Sequence, residues 1–143
     1  MCSSDLAEVL RANRSYLQSV LRGDGPAAVV AARRRVGLAT ANAEAALQRL
    51  IGEAPPAARV EPLMALVAYA RRLSASITAL GAAPPDPAVG ALLDQALGAL
   101  ADAAEAGASP PPLPPLDEAA MPEPAQRLAR QLRVVHSALA RLA

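Results

Sequence analysis

Lysine, phenylalanine and tryptophan are absent from this chain, and cysteine and histidine occur once each. A single cysteine excludes a disulfide framework, and one cysteine with one histidine excludes a Cys/His zinc cluster. Without Phe and Trp, the aromatic content is Tyr16 and Tyr69, so a core must be built from Leu, Val and Ala. Small side chains let helix backbones approach closely. They suit helix-on-helix packing better than a sheet sandwich, whose strands favour aromatic and β-branched residues. All 14 cations are arginine, set against 13 acids for a net charge of +1. A chain that binds nucleic acid carries a basic excess, so no nucleic-acid partner is expected. The arginine-for-lysine bias, with so much alanine, fits a GC-rich bacterial genome.

No uninterrupted apolar stretch approaches the roughly 20 residues that span a bilayer; Asp94 and Asp102 interrupt the best candidate. Met1–Leu6 has neither a basic start nor an apolar run, and a reducing, cytoplasmic setting is expected. Cys2–Leu6, CSSDL, is what a common sequencing-adaptor end, TGCTCTTCCGATCT, encodes in one frame. Residues 1–6 are therefore expected to be non-native or to follow from truncation; the alternative is a native Ser-Ser-Asp helix cap.

What remains is apolar (53%) and 143 residues long, enough for one domain with a real core. Caps and breakers divide it into about five helices. The first is expected over about Asp5–Arg22, with Leu6, Leu10, Leu17 and Val20/Leu21 on one face and Gly23 as its stop. Pro26, at a first-turn position, opens a second helix that runs to Ile51 and ends at Gly52. The third spans about Ala57–Leu80, its stripe Leu63, Leu66, Ala70, Leu73, Ile77 and Leu80 spaced by three and four. Asp86 and Pro87 form the cap and first turn of a fourth helix to Ala106, with Leu92/Leu93, Ala96/Leu97 and Leu100 inward. After a proline-rich spacer, the last helix covers about Pro124–Leu142, with Leu128, Leu132, Val135 and Leu139 in the same rhythm. The fold class is all-α, an antiparallel bundle of about five amphipathic helices, since short connections favour antiparallel neighbours. In domain terms, 7–106 forms the helical bundle, 107–123 a proline-rich linker, and 124–143 a C-terminal helix packing on the bundle.

The second helix carries three consecutive arginines. A seam of Val29, Arg33, Val36, Thr40, Ala43, Leu47 and Leu50 keeps helical spacing, while Arg34 and Arg35 fan out by about 100° per residue. These cations read first as a solvated rim with snorkelling stems. If the second and third helices pair antiparallel, Glu44 meets Arg71 or Arg72, and the partly buried pair fixes helix register. Alternatively, arginines with Glu, Asn and Gln inside an all-α bundle resemble a chorismate-mutase-like site, in which cations hold a dicarboxylate. His136 has no acid at i±3 or i±4, and no spacing for a nucleophile elbow, a phosphate loop or a metal is present. No catalytic residue, metal or cofactor is expected.

Two stretches resemble a known family. Gly37–Glu53, GLATANAEAALQRLIGE, and Leu63–Ala82, LMALVAYARRLSASITALGA, look like the cytosolic helical region near the C-terminus of the fusaric acid resistance (FUSC) family of bacterial efflux proteins, which include aromatic acid exporters. That family carries an NAEASLQRLL helix followed by an LLTYLRRLA.SLTAL helix. Asn42, Ala43, Glu44, Leu47, Gln48, Arg49 and Leu50 match the first, and Tyr69, Arg71, Arg72, Leu73, Thr78, Ala79 and Leu80 the second. The resemblance implies a non-enzymatic soluble domain on the cytoplasmic face of the bacterial inner membrane, with a structural or coupling role in transport. It implies as partners the membrane helices of a parent transporter, and a possible homo-oligomer. No substrate-contacting residues carry over, so Asn42, Glu44, Tyr69, Arg71 and Arg72 stand as candidate interhelix or coupling positions. The alternative is a free-standing helical module that binds a partner protein or a small carboxylate.

Overall fold

A computed structural model of the chain describes residues 3–143, so Met1 and Cys2, and whatever is expected of them, lie outside the described residues. Among the described residues there are five α-helices: α1 (Ser3–Arg22), α2 (Pro26–Gly52), α3 (Ala57–Leu80), α4 (Pro87–Ala106) and α5 (Glu123–Leu142). One 3₁₀ turn, Glu118–Ala120, precedes the last. The helix stops follow from local chemistry. Gly23 and Gly107 take up left-handed φ angles of 68° and 64°, a conformation that a side chain disfavours and that releases the preceding helix. Pro26 and Pro87 sit in the first turns of α2 and α4, where no backbone donor is lost. Asp86 holds the N-cap position of α4, but its carboxylate makes no capping hydrogen bond.

Four of the helices form a square: α1 touches α3, α3 touches α5, α5 touches α4, and α4 touches α1, with no contact across either diagonal. Arg11 meets Glu105 and Arg14 meets Asp94, so α1 and α4 run antiparallel. Glu61 faces Arg141 and Ser76 donates to Gln131, so α3 and α5 do the same. Tyr16 bonds Thr78 at 2.7 Å while Leu6 lies near Leu63, which makes α1 and α3 parallel. Since α4 opposes α1 and α5 opposes α3, α4 and α5 are parallel as well. The square is therefore up-up-down-down, an arrangement that needs two long return connections. Helix α2 is the first return, antiparallel to α1 and α3 and in contact with those two only. The second is the proline-rich segment 107–122.

That segment is more than the spacer expected of it. Pro110, Leu116 and Met121 are buried. His136 donates from Nε2 to the Pro111 carbonyl at 2.8 Å, since a carbonyl can only accept. Arg133 donates to the Leu116 carbonyl, Arg130 to Glu118, and Gln126 to the Glu118 and Met121 carbonyls. The segment numbers rise as the α5 numbers fall, so it is a strap laid antiparallel along α5. Nor are all sequential helices neighbours: α3 and α4, joined by residues 81–86, sit diagonally. The pair Pro84–Pro85 keeps that connection extended enough to cross the end of the square.

The core is the expected one of Leu, Val and Ala, and the α3 stripe is buried throughout. On α2 the seam matches the sequence reading except at Arg33, whose place is taken by the neighbouring Ala32. Ala32, Val36, Ala39, Thr40, Ala43, Ala46 and Leu47 are buried, whereas Arg33 is exposed. Ala32 wins the position because burying an unpaired guanidinium costs far more than burying a methyl group. The start of the chain also differs in placement: α1 continues through residues 3–6, and Leu6 and Ala7 are core residues. Among the described residues α3 is long and apolar enough to cross a membrane by length and composition, with a mean hydropathy of 1.2 over its best window. Arg71 and Arg72 interrupt it, so what changes from the sequence reading is which stretch is the best candidate, α3 in place of the one that holds Asp94 and Asp102. The Ala, Ile and Leu content of α3 raises the average, and here that apolar face is spent on α1, α2 and α5.

Candidate functional site

The antiparallel α2–α3 pair brings Glu44 to Arg71. Arg71 donates from Nε to Glu44 Oε1 at 2.5 Å and from Nη2 to Oε2 at 2.9 Å, a bidentate grip. Of the two partners open to Glu44 from sequence, the structure selects Arg71. The hydrogen bond from Arg71 holds the Glu44 carboxyl below its ordinary range, and the same bond raises the Arg71 guanidinium. The pair is half-buried on the side of Glu44, 37% exposed, and open on the side of Arg71, 66% exposed. Water screens such a pair, which adds little to stability. With both oxygens already accepting, Glu44 is poorly placed to take up a proton from a substrate.

The other three candidates do not join it. Arg72 lies over the Tyr69 ring, 4.6 Å from its centroid, in a cation–π contact. Tyr69 is half-buried against the core and supplies the platform. Asn42 is exposed and makes no interhelix hydrogen bond among the described residues. One helical position separates it from the buried Ala43, and about 100° of rotation carries it outward. The five residues thus form two surface contacts and one free side chain, and they enclose no cavity.

Two features escaped the sequence reading, and a third was read there only as a solvated rim. Arg14 of α1 donates from Nε and Nη2 to both oxygens of Asp94 on α4, at 2.9 and 3.3 Å. The hydrogen bond to Asp94 is the chief cause of its raised pKa. Its signal in the sequence is Gly98, one turn after Asp94, where the missing side chain leaves room for the guanidinium. A second is a cavity of about 190 Å³ at the end of the square, lined by Leu6, Leu63, Ala104, Leu139 and Leu142, with Arg59 at its wall. Arg59 makes no ion pair or hydrogen bond among the described residues. The third is the outward half of α2. Val30 and Leu38 are 53% and 64% exposed there. Arg33, Arg34, Arg35 and Arg49 are exposed without a carboxylate or hydrogen-bond partner among the described residues.

Nothing in this inventory is a metal site: among the described residues no three His, Cys, Asp or Glu side chains are grouped to hold an ion. Comparison with known protein families, curated proteins and solved structures finds no match.

Proposed function

We propose that this chain is a non-catalytic docking domain, the cytoplasmic helical part of a FUSC-type inner-membrane efflux protein for aromatic or other organic acids. The observation that carries the reading is the uncovered half of α2. This helix stands outside the four-helix square, covered by α1 and α3 on one side only. Its other side carries exposed Val30 and Leu38 among unpaired arginines. A return connection needs only to span the square, and a 27-residue helix with an apolar and cationic outer face offers more than a span. The Glu44–Arg71 pair then acts as the pin that sets this face relative to α3. The motif resemblance of Gly37–Glu53 and Leu63–Ala82 falls on these same two helices. Docking here would couple the bundle to the membrane helices of the parent protein.

The test is the genomic DNA upstream of the codon for Ala7. The docking reading expects an open frame that continues into hydrophobic segments. A start codon with a ribosome-binding site at that point removes the parent membrane protein and with it this reading.

A second reading rests on the end cavity. Its apolar wall and the free guanidinium of Arg59 match an apolar monocarboxylate, which would make the chain a small-ligand-binding module. A thermal-shift screen with aromatic and medium-chain carboxylates tests it. The expected result is stabilisation that Arg59→Gln removes; no shift with any of them rejects it.

A further inference from the structure

We propose that the outward face of α2 binds the surface of an anionic phospholipid bilayer. The inference rests on the docking reading for the choice of face and names what that face meets. Val30, Arg34 and Leu38 are spaced by four, so they form one row along the outermost line of the helix. Arg33 and Arg35 stand about 100° to either side of Arg34, and their long stems can reach the plane that Arg34 touches. Arg49 adds a fourth cation toward the far end. The acids of α2 offer no counterweight, since Glu44 is taken by Arg71 and Glu53 lies at the C-cap beyond the helix end.

The shape of the face selects lipid over an acidic protein. Between the arginines stand Ala27, Ala31, Ala41 and Ala45, all exposed; the recesses beside this row lie toward α1, where Glu8 and Asp24 line them and repel an acidic anchoring side chain. Tight protein interfaces are dominated by such anchors. A bilayer requires only a broad line of cations at headgroup depth and a few apolar groups that enter between headgroups. The helix carries its cations over about 24 Å by its rise per residue, from Arg33 to Arg49, with Val30 and Leu38 bracketing Arg34.

Flotation of the full chain with vesicles tests the proposal. One set holds phosphatidylcholine alone and the other a mixture with phosphatidylglycerol. Binding is expected to the mixed vesicles only and to fall as salt rises. Each arginine near an anionic surface is worth about fivefold in partitioning. The triple variant R33Q/R34Q/R35Q is therefore expected to bind about a hundredfold more weakly. Val30→Ser with Leu38→Ser should weaken binding to a lesser degree, and Arg127→Gln on α5 should leave it unchanged. All these positions are exposed, and circular dichroism melts confirm that the variants fold.

Absence of binding to mixed vesicles, or binding that the triple variant retains, overturns the proposal. Capture by an acidic polypeptide without vesicle binding also overturns it and assigns the face to a protein. Failure here leaves the upstream-frame test standing, and failure of that test leaves vesicle binding to stand alone.

Discussion

The guanidinium of Arg14 fills the space that a side chain at Gly98 would take. A Cβ built on Gly98 lies 2.5 Å from Arg14 Nη1 and 2.6 Å from its Cζ, while Asp94, one turn earlier on α4, holds the same group. Glycine costs a helix interior about 1 kcal/mol relative to alanine, so Gly98 stands here against its own propensity. Gly98→Ala in the native background is expected to change stability little, because the helix gain is offset by a displaced Arg14. In an Arg14→Ala background the same change should stabilise by about 1 kcal/mol. Chemical denaturation of the four variants gives the coupling. Equal effects in both backgrounds would mean that the guanidinium moves aside freely.

The Glu44–Arg71 contact makes an acid-side prediction. The pKa of Glu44 is lowered from 4.5 in the folded state, chiefly by the Arg71 hydrogen bond. A depressed carboxyl stabilises the fold above its unfolded pKa and loses that contribution as pH falls through the folded value. Glu44→Gln is expected to lower Tm at neutral pH by under about 2 °C, as befits an exposed pair. The gap between the variant and the native protein should close as pH drops below about 4. Melting curves across that range check it, and a gap that persists in acid rules out the carboxylate as its source.

Asn13 is fully buried, donating from Nδ2 to the Val9 carbonyl at 3.0 Å, yet no donor among the described residues reaches its Oδ1. An unmatched buried acceptor is costly, whereas an apolar group of the same branching pattern is not. Asn13→Leu is expected to raise unfolding stability by about 1 kcal/mol. A loss on denaturation would show that the pocket cannot accommodate the larger methyl groups.

For the strap, His136 is the residue to change. His136→Leu keeps bulk on α5 but removes the hydrogen bond to Pro111. A lost bond of about 1 kcal/mol raises local opening about fivefold. Limited proteolysis should then cut residues 107–122 about five times faster, with the helices left intact. An unchanged cutting rate would assign the hold on the strap to Pro110, Leu116 and Met121 instead.

Helix limits were legible because glycine and proline mark them through hard backbone constraints. The boundaries of α3 and α4 are those read from the sequence, and α1, α2 and α5 differ by one or two residues at an end. What packs on what was harder. Periodicity places a residue on a face but leaves a tolerance of about one position, which is how Arg33 was put in the seam that Ala32 occupies. The strap was illegible because its buried Pro110, Leu116 and Met121 follow no helical or strand period. Of the candidate site, the Glu44–Arg71 pair could be read, since opposite charges at matching depths on adjacent antiparallel helices are geometrically forced together. The openness of its Arg71 side could not, because it depends on α2 lying outside the square.

The pairing of α1 with α4 also orders events during synthesis. Arg14 and Asp94 are 80 residues apart in the chain, and ribosomes add about 5–20 residues per second. For about 4–16 s nascent α1 therefore has α2, and then α3, to lie against while the flank that carries Arg14 still awaits α4. An apolar flank left open for that time is a natural point of call for a chaperone.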